Sequence, residues 1–213
     1  MKKKIVALCL CIALAVVAIG GATLAYFTDK TDTVTNTFTV GKVDIDLWEN
    51  ADGTASSDKV ANRTNIKVAP GTDIKKNPTV SVTADSEDCW LFVKMDITDW
   101  PTANVTYALA NGWDILPATK GGTAANFTVG TSFVLYRSVS KTDTTREFAI
   151  LSNDTITVSN QLVSGNFVQD ANGGMKQPSM VFTAFAIQKD NLTDVNDAWT
   201  AVQGAYTTVV TGE

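Results

Sequence analysis

Cys89-Trp90-Leu91-Phe92-Val93-Lys94-Met95-Asp96-Ile97-Thr98 sets Leu91, Val93, Met95 and Ile97 at alternate positions. Successive side chains of a strand point to opposite faces, so this spacing predicts a β-strand that buries those four together. The same period of two appears upstream, where Val43, Ile45 and Leu47 alternate with Lys42, Asp44 and Asp46, and again at Val80 and Val82. Shorter strand-like pieces follow at 113–116, 132–139 and 147–151, separated by Gly- and Asn-rich turns. Residues 180–188 carry apolar side chains on both faces, the pattern expected of a central strand.

Turn-forming stretches punctuate these runs. Residues 50–58 are polar, Asp85-Ser86-Glu87-Asp88 reads as a connection, and Val68-Ala69-Pro70-Gly71 marks a tight turn. In that turn Pro presets one φ and Gly accepts a positive one. A single segment, 194–202, reads as helix: Asp194 is placed to cap it, and Ala198, Trp199 and Val202 fall on one side. Many short strands and almost no helix predict an all-β jelly-roll/β-sandwich, one domain over 38–213.

Composition narrows the function. The 213 residues are 45% hydrophobic and 18% charged, enough for a packed core and too apolar for disorder. Net charge is −5, so the chain repels phosphate backbones and no nucleic-acid partner is expected. Histidine is absent. That excludes Ser-His-Asp and Cys-His catalysis and every His-based zinc motif. No catalytic residue, metal ligand or cofactor is therefore expected.

The first residues describe a route. Lys2-Lys3-Lys4 precede an apolar run from Ile5 to Ile19, and Gly20-Gly21-Ala22-Thr23-Leu24-Ala25 follows with small residues at Thr23 and Ala25. This predicts a secretory signal peptide over 1–25, cleaved between Ala25 and Tyr26. The run is short of the ~20 residues that span a bilayer, so a permanent anchor is not expected. Cys9 and Cys11 leave with the leader, and Cys89 reads as a buried, inert thiol inside its strand. Residues 26–37 are polar and Thr-rich, an extended arm ahead of the domain.

Three blocks carry a resemblance. Gly21-Ala22-Thr23-Leu24-Ala25-Tyr26-Phe27-Thr28-Asp29, followed by Asn36-Thr37-Phe38-Thr39-Val40-Gly41-Lys42-Val43-Asp44-Ile45, resembles the leader and first strand of the TasA/camelysin family. Ala184-Phe185-Ala186-Ile187-Gln188 with Asp197-Ala198-Trp199 is similar to its closing strand and short helix. Val68-Ala69-Pro70-Gly71 with Lys76-Asn77-Pro78 fits its internal pattern.

The resemblance implies export by Firmicute-type bacteria, processing by a signal peptidase of the SipW type, and a jelly-roll fold. It also implies a secreted, extracellular protein of the cell surface or biofilm matrix. Some members polymerise into matrix fibres, the N-terminal arm of one subunit completing the sheet of the next. That step is strand addition, and repeated head-to-tail it makes a filament.

The expected function is thus a structural fibre subunit whose main partner is itself, with other matrix or surface proteins as further partners. The assembly arm would use Tyr26, Phe27 and Val34, with Phe38 at its base; Tyr26 and Phe27 offer the most buriable area. The alternatives for the arm are an unpaired segment, or one that folds back as the first strand of its own domain.

Two other functions compete. A surface adhesin or accessory matrix protein could use Trp48, Trp100 and Trp113 as a sugar-binding surface, provided the rings are exposed and coplanar. A camelysin-like metallopeptidase would need a metal. Asp190, Asp194 and Asp197, or Asp170 with Asn172, could supply only hard oxygen ligands, and neither set follows a calcium-loop spacing.

Overall fold

The chain was analysed as a computed structural model, which describes residues 42–54, 57–61, 63, 66–101, 103–116 and 131–210. The signal peptide, the Ala25–Tyr26 cleavage position and the arm residues Tyr26, Phe27, Val34 and Phe38 lie outside the described residues.

Among those residues, the strands are β1 (Ile45–Asn50), β2 (Lys59–Val60), β3 (Asp73–Lys75), β4 (Thr79–Val82), β5 (Cys89–Thr98) and β6 (Val105–Leu109). They continue with β7 (Asp114–Ile115), β8 (Thr131–Val139), β9 (Glu147–Ala149), β10 (Leu151–Val158) and β11 (Ser179–Gln188), and α1 (Val195–Val210) closes the series. Three antiparallel sheets result, in the orders β2-β1-β4-β9, β3-β10-β6 and β11-β5-β8-β7. The fold is an all-β sandwich, and residues 41–213 form one compact unit.

β5 organises it. The strand pairs along its whole length with β11 on one side and through Ile97 with β8 on the other. Its inward face, Leu91, Val93, Met95 and Ile97, meets Phe133 and Leu135 of β8, Val80 and Val82 of β4, and Ile156 of β10 in one core. Each such side chain is almost fully excluded from water, worth about 1.5–3 kcal/mol apiece.

The opposite face of this sheet is covered too. Phe92 and Val134 pack under Ala198, Trp199 and Val202 of α1, with the Trp199 ring 5.2 Å from Phe92 and 5.7 Å from Phe185.

The structure departs from the sequence reading in three places. Residues 180–188 do not form a central strand: β11 is paired only with β5 and is an edge strand among the described residues. Its inner apolar residues, Phe182 and Ala184, face the core, and its outer ones, Phe185 and Ile187, pack toward α1. A helix lying over the sheet thus produces the two-faced pattern that a neighbouring strand was expected to explain.

The stretch 147–151 becomes two strands, the second running on to Val158. Asn153 and Asp154 adopt positive φ within it and shift its register on β6, so turn-like residues conceal a continuing strand. The helix also runs past 202 to Val210, although Asp194 caps it as expected: its Oδ1 accepts from the N–H of Asn196 at 2.8 Å and of Asp197 at 3.3 Å.

Candidate functional site

β1 and β11 pack near one another across the sandwich without pairing. β1 is occupied by β4 from Ile45 to Trp48, and β2 reaches only Glu49 and Asn50 on its other side. The remaining flank of β1 and the outer flank of β11 therefore leave backbone edges open among the described residues. Between these elements lies a groove of about 1060 Å³, large enough for a peptide.

The groove's polar end is built by local register. Lys76-Asn77-Pro78 bridges β3 and β4 and carries the chain from one sheet to the next. The Asn50 N–H donates to Asn77 Oδ1 at 3.1 Å, and Asn77 Nδ2 donates back to Asn50 Oδ1. That reciprocal pair fixes the bridge against β1 and sets Lys76 on Glu49, where the ammonium ion-pairs with Oε1. Arg63 approaches Oε2 to 3.9 Å while donating to the Lys75 carbonyl at 2.6 Å. All three charged side chains are about nine-tenths buried.

Two buried polar atoms of the groove lining lack a hydrogen-bond partner among the described residues. They are the acceptor Glu49 Oε2 and the donor Trp48 Nε1. Buried polar atoms are almost always satisfied, so an unpaired donor and acceptor on adjacent residues need explaining.

The groove's apolar end is its rim. Val163, Met175 and Val181 are the exposed large hydrophobic residues of the described chain, at 61%, 55% and 50% exposure, and all three line this groove. Single exposed aliphatics are ordinary, but their convergence on one depression is a patch. Charge is concentrated there as well. Arg63, Lys67, Lys76 and Lys176 line it against one carboxylate, Glu49, on a protein whose net charge is −5.

Sequence reasoning did not single out this groove. Its parts come from residues 47–49, 61–78, 156–168 and 175–182, and no local pattern joins them. The hint available was Val163 and Met175, apolar side chains inside polar stretches.

The other candidates resolve differently. Trp100 and Trp113 are buried, their indole N–H groups donating to the carbonyls of Ser179 and Ala149 at 2.8 Å each. Trp48 is half-buried, with the Lys59 ammonium 3.6 Å above its ring. The three do not make an exposed coplanar surface. Cys89 is free and buried, and burial pushes its thiol up to about 11, which keeps it protonated and unreactive.

The aspartates are engaged in local structure. Asp170 Oδ1 accepts from the N–H of Asn172 and of Gly174 at 2.8 Å each, and Asp190 accepts from Gln188 at 2.6 Å. Asp194 is the helix cap, and those backbone N–H bonds hold its carboxyl below the usual value of 3.8. Among the described residues no three His, Cys, Asp or Glu side chains come together as metal ligands.

No curated protein and no solved structure matches the chain. The sequence model of the camelysin metallo-endopeptidase family matches residues 1–110, which takes in the leader, the arm and the strands through β6 but not β11 or α1. Because that match spans just over half of the 213 residues, the chain belongs to the camelysin metallo-endopeptidase family.

Proposed function

We propose that this protein is exported and acts as a structural subunit of extracellular or biofilm-matrix fibres, adding the arm at 26–37 of one copy to the sheet of another. The observation that carries this reading is β11: ten residues of edge strand, apolar on both faces, beside a groove with an apolar rim. Natural sheets usually blunt such an edge with charge, proline or a bulge. An edge left long and apolar is suited to receive a strand, because backbone pairing supplies affinity and alternate side chains fill pockets. No described helix is long and apolar enough to cross a membrane.

The family's name carries a metallopeptidase activity, and the residues present do not fit a zinc centre. The chain has no histidine, its described aspartates and Glu49 are committed to caps, turns and an ion pair, and Cys89 is buried and protonated. A structural role accords better with this donor set. The adhesin reading loses its support with Trp100 and Trp113 buried.

Sedimentation velocity on protein beginning at Tyr26 tests the proposal. Species that grow with concentration, and a monomer throughout for protein beginning at Phe38, are expected. A monomer in both cases over a wide concentration range sinks it.

A further inference from the structure

The apolar rim, the cationic lining and the two unpaired buried atoms lie in one place, and a single kind of ligand answers all three. The rim calls for aromatic or aliphatic side chains. Four cations against one carboxylate call for an acidic segment. An unpaired acceptor and an unpaired donor, Glu49 Oε2 and Trp48 Nε1, call for a group that both gives and takes a hydrogen bond. A peptide unit does this, its N–H donating and its carbonyl accepting. The open edge of β11 beside them asks for the same thing in extended form.

We propose that this groove between β1 and β11 is the docking site for residues 26–37 of a second copy of the chain, selected by charge as well as by apolar fit. The proposal rests on the self-assembly reading above and adds to it the place and the selecting chemistry. The segment's composition matches: Tyr26, Phe27 and Val34 are its large apolar side chains, and Asp29 and Asp32 outnumber Lys30. Its reach matches too. Twelve extended residues span about 40 Å and the ten residues of β11 about 33 Å, so the segment can follow the whole edge. Tyr26, Phe27 and Val34 would lie over Val163, Met175 and Val181, and the aspartates would face Lys67 and Lys176 at the solvent side. Arg63 and Lys76 are already drawn to Glu49, and so act at the floor by keeping its Oε1 occupied and leaving Oε2 as the free acceptor.

Two variants of the chain lacking its leader separate the partners. One begins at Phe38 and keeps only the groove, which belongs to the compact unit 41–213. The other begins at Tyr26 and carries Val163→Asp, Met175→Asp and Val181→Asp, keeping only the arm. All three replaced side chains are at least half exposed, so an unchanged melting temperature and circular dichroism are expected. If this variant does not fold, Lys67→Glu with Lys176→Glu takes its place, expected to weaken docking about two- to fivefold at low salt and less at high salt.

Mixed and passed over a sizing column with light scattering, the two halves should form a complex of one copy each and nothing larger. Absence of that complex overturns the groove assignment. Filaments from the groove-blocked variant alone also overturn it, while leaving the self-assembly reading intact. If the unaltered chain stays monomeric yet the two halves combine, the groove assignment stands and the fibre reading fails.

Discussion

β5 and β11 are neighbouring strands of the same sheet, both ten residues long and both apolar on two faces. They differ in their surroundings. β5 has a strand on each side and a covering on each face, and Leu91, Phe92, Val93 and Met95 are wholly buried. β11 has a strand on one side only, and every residue in it is half-buried or exposed. Hydrophobic pattern reports which faces of a strand are covered, and it is silent on whether the hydrogen-bonding edge is paired. One apolar strand therefore serves as the centre of the core while the next is a surface with capacity to bind.

Substitutions sharpen that contrast. Phe92→Ala removes a side chain enclosed between β8 and α1, and should lower unfolding stability by about 3–5 kcal/mol in urea titration. Glu49→Gln strips the carboxylate from between Lys76 and Arg63 and should cost roughly 3 kcal/mol by the same titration. A double change, Glu49→Met with Lys76→Met, should cost less than the single one, because no unpaired ammonium is left facing Phe182. A larger loss in the double variant would show the pair to be more favourable than burial of apolar side chains.

Asp194→Ala removes the cap of α1 and should reduce helicity at 222 nm. The sign of its pH dependence follows from a folded value held below 3.8. The stabilisation is complete above 3.8 and disappears as the pH falls through the lower folded value, so wild type and variant should converge in strong acid. A difference that persists there would mean the cap is not the source. Smallest in stability is Val181→Asp on β11, expected within ~0.5 kcal/mol of wild type, against a large loss of assembly.

Much of the fold was legible because single strands declare themselves. The bounds of β5 follow from its alternation, the turn at Val68-Ala69-Pro70-Gly71 from its chemistry, with Gly71 at a φ of 70°, and the start of α1 from Asp194. β6 and the far half of β10 were missed for local reasons. Asn104 precedes the first, and Ser152-Asn153-Asp154 interrupts the second with a left-handed kink that reads as a turn. The groove was not legible at all. Glu49 and Lys76, or Val163 and Val181, meet only after the chain has crossed between sheets. The arm residues Tyr26, Phe27 and Val34 were named from sequence, and the place proposed for them came from the structure.

The most direct measurement is amide hydrogen exchange on β11 in assembled protein beginning at Tyr26, compared with the monomer beginning at Phe38. Assembly by strand addition at this edge should slow exchange of the outward-pointing amides between Ser179 and Gln188 strongly, with β5 already slow in both. Filaments in which β11 exchanges as fast as in the monomer would contradict it, and would place the contact between copies elsewhere on the molecule.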